Sequence, residues 1–107
     1  MAKTFVLGVL ALLLMACHST YSPAVVSELQ QSKRDFDGGY YKRTMRELLP
    51  LACDGNPDAE YAIGYMYYYG YGVAQDTNVG AFWIERSAQQ HYCPAVKAMD
   101  VISGTSN

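Results

Sequence analysis

Residues 59–76 read AEYAIGYMYYYGYGVAQD. On a helical wheel Ala59, Ala62, Ile63, Met66 and Tyr67 gather on one face, the spacing of an amphipathic helix with a buried stripe. Gly70-Tyr71-Gly72 ends that helix, because glycine reaches backbone conformations that other residues resist. Asp76 is a good N-cap for a second helix that starts at Thr77. The stretch is therefore a helix, a tight turn and a helix, and no segment shows the apolar–polar alternation of a strand.

The same grammar extends outward. Pro23 to Phe36 carries a loose helical stripe of Val25, Val26, Leu29 and Phe36, stopped by Asp37-Gly38-Gly39. A second helix, from about Tyr40 to Cys53, puts Tyr41, Met45, Leu48, Leu49 and Ala52 on one face, with Pro50 expected to kink or shorten it. Asp54-Gly55-Asn56-Pro57 is a dense turn signal. The third helix spans Asp58 to Tyr69, the fourth Thr77 to about Gln90, and Pro94 opens a fifth that ends by Ser103. The fold class is all-α: a short α-solenoid of antiparallel helix pairs, about five helices over residues 23–103, with a disordered tail at 104–107.

A shift of 36 residues brings Leu51-Ala52 onto Ser87-Ala88, Ala59 onto Ala95, and the turn at 53–58 onto the turn at 89–94. The segment from Ala59 to Ala95 resembles the Sel1-like repeat, a relative of the tetratricopeptide repeat, whose pattern is A-x-x-x-L-G-x-x-Y-x-x-G-x-G-V-x-x-D, then an aromatic, then A-A and a G. The matching residues are Ala59, Ile63, Gly64, Tyr67, Gly70, Gly72, Val73, Asp76, Trp83, Ser87 and Ala88. The resemblance implies that Ala59, Gly64 and Ala88 let helices approach, and that Tyr67 and Trp83 fill the space between them. Two positions depart from the pattern. Gly80 replaces a usual Ala, at an expected cost of about 1 kcal/mol in helix propensity, and His91 replaces a usual Gly. Residues 23–56 read as a degenerate first repeat and 94–103 as the first helix of an unfinished third. Proteins with such repeats are adaptors and scaffolds, so the resemblance implies a partner-binding concave face. Tyr61, Tyr65 and Tyr68 lie opposite the buried stripe of the third helix, with Tyr69 at the boundary. They are the expected partner surface, since tyrosine is amphipathic and loses little conformational freedom on ordering. The alternative is that these rings pack on the first or fifth helix of a small domain.

The other informative stretch is MAKTFVLGVLALLLMAC at 1–17. Lys3 precedes an apolar run from Phe5 to Met15, too short to span a bilayer as a helix. Ala16 and Cys17 follow, the layout of a signal peptide. Leu14-Met15-Ala16-Cys17 resembles the lipobox of bacterial lipoproteins. That implies removal of residues 1–16, acyl chains on Cys17 and a tether at 17–22. Several chains on one residue anchor stably at about 0.8 kcal/mol per buried CH₂. With His18 rather than Asp after the Cys, the resemblance favours the outer membrane facing the periplasm, the inner membrane or cell surface being the alternatives.

The remaining composition narrows the function. The formal charge of −2 argues against nucleic acid. Cys53 and Cys93 are an even pair in an oxidising compartment and are expected to form a disulfide, worth on the order of 3–4 kcal/mol in the chain-entropy model; two buried free thiols are the alternative. His91 lies in a turn, Lys33-Arg34-Asp35 reads as a solvated helix end, and Gly70-x-Gly72 is a turn device. No nucleophile–base grouping or phosphate loop stands out, so neither an enzyme nor a cofactor or metal is expected. The expected function is a membrane-anchored envelope scaffold or adaptor docking on another envelope protein, for example within a secretion or pilus assembly, its oligomeric state open. The alternative is a secreted or periplasmic binder of cell-wall material. Intact-mass analysis of the membrane-extracted protein is expected to show a chain starting at Cys17 with acyl chains; an unmodified Cys17 or a cut elsewhere refutes the lipobox reading.

Overall fold

A computed structural model describes residues 21–104. The leader at 1–16, the lipid site Cys17, most of the tether and 105–107 of the tail lie outside the described residues. Five helices follow one another: α1 Pro23–Asp37, α2 Tyr41–Cys53, α3 Pro57–Tyr69, α4 Thr77–Gln89 and α5 Cys93–Ile102. Among the described residues there is no strand, and each helix packs chiefly on its neighbours in sequence. This is the quasi-one-dimensional arrangement of a short solenoid. No described helix is long and apolar enough to cross a membrane.

Local signals set the helix boundaries to within a residue of expectation. Ser22 accepts from the Val25 amide and Asn56 from the Ala59 amide, each followed by a proline at the first helical position. Asp76 accepts from the amides of Asn78 and Val79. Gly70 closes α3 in the left-handed conformation, φ 77°. Pro50 does not shorten α2, which runs on to Cys53. The proline removes one hydrogen bond in the last turn, while burial of Leu48, Leu51 and Ala52 holds that turn in place. Leu49, expected on the buried face, is exposed, and Leu51 takes its place in the core.

The 36-residue period is structural. The span from α2 to the start of α3 recurs from α4 to the start of α5, with the turns at 54–56 and 90–92 in register. Buried positions recur with it: Thr44 and Gly80, Leu48 and Ile84, Leu51 and Ser87, Ala59 and Ala95. The turn bonds recur too, from the Asn56 amide to the Leu51 carbonyl and from the Tyr92 amide to the Ser87 carbonyl. Gly55 at φ 88° corresponds to His91 at φ 62°. His91 is the one described non-glycine residue in the left-handed region, so the departure noted in the sequence is a strained one.

The core is a cluster of Leu48, Leu51, Ala52, Ala59, Ile63 and Met66, where α2 meets α3. The tightest approach lies on the other side of α3. A Cβ at Gly64 would stand 2.6 Å from Ile84 Cγ1 and 2.7 Å from the Gly80 carbonyl oxygen; one at Gly80 would stand 2.7 Å from the Tyr68 amide nitrogen and 2.8 Å from the Gly64 carbonyl oxygen. The backbones of α3 and α4 therefore touch, and both glycines are required for it. The expectation that Gly80 is merely a weak helix residue is corrected: what it gives up in propensity, the crossing needs in space.

Three polar ties supplement this small core. Glu60, fully buried on α3, accepts from Nε2 of Gln90, the C-cap of α4, at 2.9 Å and faces Arg86 Nε of α4 at 3.3 Å. Asp35 of α1 is buried rather than solvated, with Arg43 Nε of α2 at 3.4 Å and a bond from Gln31. The Ser32 hydroxyl donates to Glu47 at 3.1 Å. Gly80→Ala is expected to lower stability by about 1–3 kcal/mol despite its better propensity, because the overlap is with backbone. His91→Gly is expected to raise it by about 1 kcal/mol by relieving the left-handed strain. Thermal melting of the two variants checks both signs.

Candidate functional site: an aromatic groove between α1 and α3

The first and third helices do not pack closely, and between them lies an open groove of about 520 Å³. Leu29, Lys33 and Phe36 recur along α1 at helical spacing and form one wall; Asp58, Tyr61, Ala62 and Tyr65 do the same along α3. Thr44 and Leu48 of α2 form the floor, and Tyr92, just before α5, closes one end. The two aliphatic hydroxyls of this lining are engaged within the protein: Ser32 donates to Glu47, and Thr44 to the Tyr40 carbonyl at 3.1 Å. Lys33 is paired with Asp37 at 2.8 Å.

Aromatic rings run the length of the α3 wall. Tyr92 and Tyr61 have centroids 5.7 Å apart, Tyr61 and Tyr65 6.3 Å. Tyr65 then meets Phe36 edge-on at 6.2 Å and stacks nearly parallel on Tyr71 at 5.9 Å. Phe36, Tyr41 and Tyr71 close into a triangle, with centroids 5.0–5.4 Å apart, joining α1, α2 and the α3–α4 turn. Such pairs contribute about 0.5–1.5 kcal/mol each beyond the area they bury. Burial raises the Tyr65 pKa above the ordinary phenol value, and the neighbouring phenols Tyr71, Tyr69 and Tyr61 add to it.

At the Tyr92 end stands Asp58, in the first turn of α3. Its carboxylate lies near enough to the Tyr21 and Tyr92 phenols to act on both. Burial, then the nearby Asp58 carboxylate, push the Tyr21 phenol up to about 12. The same causes in the same order raise Tyr92, helped by Tyr61 and Tyr21. The Tyr21 and Tyr92 phenols therefore keep their protons well above neutral pH.

The four tyrosines expected as a partner surface do not behave as one. Tyr61 and Tyr65 line the groove, half-buried, and Tyr65 is also part of the internal packing. Tyr69 stands at the exposed end, 56% accessible, tilted against Tyr65 at 4.7 Å. Tyr68 does not line the groove; Gly80 sits against its backbone, which places it on the side of α3 turned to α4. Tyr21, Asp58 and Tyr92 were missed by the sequence reading, because they are distant in the chain and none belongs to a helical stripe.

The expected disulfide is also corrected. Cys53 and Cys93 are both exposed free thiols. Cys53 ends α2 and Cys93 begins α5, two helices that do not pack closely because the α3–α4 hairpin lies between them. Among the described residues no group of His, Cys, Asp or Glu is gathered to hold a metal ion. No family model, no curated protein and no solved structure matches this chain.

Tyr65→Ala is expected to lower stability by about 2–4 kcal/mol, as removal of a packed ring does. Tyr69→Ala should change it by less than about 1 kcal/mol. Chemical denaturation that finds the two variants equally stable would contradict the placement of Tyr65 in the aromatic packing.

Proposed function

We propose that this chain is a bacterial envelope lipoprotein and an interaction module of the Sel1-like kind. In this reading Cys17 carries acyl chains in the outer membrane, and the solenoid faces the periplasm. The groove between α1 and α3 docks a segment of another envelope protein, in a setting such as a secretion or pilus assembly. The observation that carries the docking part is the groove itself: a long, open, ring-lined channel whose volume lies within the range of ordinary binding pockets. Tyr61 and Tyr92 present rings that are partly accessible and already held in place by their neighbours, so docking on them orders few side chains. Repeat domains generally use a face of this kind for partners.

The site supports binding rather than catalysis. Its charged groups are a carboxylate beside phenols and a lysine already paired with an aspartate. Neither offers a nucleophile beside a base. A second reading, binding of cell-wall material, is favoured by the same rings, since flat phenol faces beside a carboxylate also suit sugar rings.

A photo-crosslinking amino acid at Gln30, an exposed groove position, tests the docking in cells that produce the full chain. The expected result is one or a few discrete protein adducts that are absent when the same group is placed at Glu85, on the exposed surface of α4. Equal adducts from both positions, or none from Gln30, would overturn protein docking in the groove. Adducts to isolated cell-wall sacculi from Gln30 alone would favour the second reading.

A further inference from the structure

We propose that the Tyr92 end of the groove is a subsite for a cationic side chain, so that the docked segment carries a lysine or arginine there, followed by apolar residues along the groove. This inference rests on the docking reading and specifies the chemistry of its occupant.

The argument is one of charge and of what is already satisfied. The groove carries three charged side chains. Lys33 and Asp37 neutralise each other at 2.8 Å, which leaves Asp58. Among the described residues no cation is paired with Asp58. The two buried acids, Asp35 and Glu60, each have an arginine within 3.4 Å, and half-buried Glu47 accepts from the Ser32 hydroxyl. The fold thus matches its buried acids with guanidinium groups, while half-buried Asp58 opens on the groove with none. Asp58 stands instead beside Tyr61 and Tyr92 in the groove lining. Even with a phenol donating to it, a carboxylate keeps acceptor capacity to spare, and no side-chain cation among the described residues matches this one.

The surroundings suit a cation in a second way. Tyr92 and Tyr61 stand together beside Asp58, with centroids 5.7 Å apart at an interplanar angle of 55°. A guanidinium or ammonium beside such rings gains from their negative faces as well as from the carboxylate. The chain already pairs cation and ring in this manner elsewhere: Arg43 lies 4.5 Å from the centroid of Tyr40, and Arg86 5.2 Å from that of Trp83. Beyond the subsite the lining turns apolar, with Leu29, Ala62, Leu48 and Phe36. An occupant with one basic residue and a following apolar stretch matches both parts. A uniformly acidic segment is repelled at Asp58, and a uniformly apolar one leaves it unmatched.

The test uses the full chain and a phage-displayed library of random twelve-residue peptides as the probe. Peptides are selected first for loss of binding to Gln30→Trp, which fills the groove from an exposed position. The best of them is then measured against wild type and Asp58→Asn, both with its basic residue and with the neutral isostere in its place, citrulline for arginine or norleucine for lysine. The expected result is a basic residue at one recurrent position. Asp58→Asn should then weaken the basic peptide about 10- to 100-fold, the range of a charge-assisted bond, and the neutral peptide by less than about 3-fold. Glu85→Gln removes the same charge from the far surface and should leave both unchanged. The melting temperature of each variant keeps loss of folding apart from loss of the contact. Groove-dependent peptides with no recurrent basic residue, or equal losses for basic and neutral peptides, overturn the cation subsite while peptide docking stands. If no selected peptide depends on the groove, peptide docking itself fails and the subsite fails with it.

Discussion

The backbone contact of α3 with α4 at Gly64 and Gly80 orients the rest of the molecule. With no side chain between them, the two helices meet at a distance that only glycine allows, and the axial rotation of α3 is set by that contact. The other faces of α3 follow. Glu60, one turn before Gly64, points at Arg86 and Gln90. Ile63 and Met66 turn to the core shared with α2. Tyr61 and Tyr65 are left facing the space beside α1. A larger residue at either glycine would push the helices apart and turn these side chains away from their partners together.

The groove follows from a break in the repeat. From α2 onward the 36-residue period is kept in turns and buried positions. It is not kept before α2: α1 is two residues longer than α3, and its turn to α2 spans 38–40, where the turn from α3 to α4 spans 70–76. The first hairpin is therefore built differently from the second, with α1 closely packed on α2 alone. The triangle of Phe36, Tyr41 and Tyr71 bridges the gap at one end, and Asp58 with its two phenols stands at the other.

A domain this small buries few large apolar side chains; among the described residues Leu48, Ile63, Met66 and Ile84 are almost fully enclosed. The remaining cohesion comes from rings that fill irregular space and from polar ties between adjacent helices. A buried pair such as Glu60 with Arg86 adds little net stability after desolvation, yet loss of one partner leaves an unmatched charge. These ties act more on register than on total stability, a useful property where each helix touches mainly its neighbours.

The sequence by itself determined the elements and their order. Pro23, Pro57, Asn56 and Asp76 start helices, Gly38, Gly55 and Gly70 stop them, and the apolar spacing between the two fills them; these are local effects, acting within a turn or two of chain. It also exposed the period, since Ala59 and Ala95 must both be small in equivalent places. The tertiary structure decided what depends on residues distant in the chain. Whether Tyr65 binds a partner or packs on Phe36, whether Asp35 is solvated or buried against Arg43, whether Cys53 reaches Cys93, and whether Gly80 is a defect or a requirement are all set by where the helix axes lie. A wheel gives the angles of side chains about one axis; it does not give the position of the next axis. That position is fixed by the sum of packing contacts along several helices, and it alone brought Tyr21, Asp58 and Tyr92 together at the mouth of the groove.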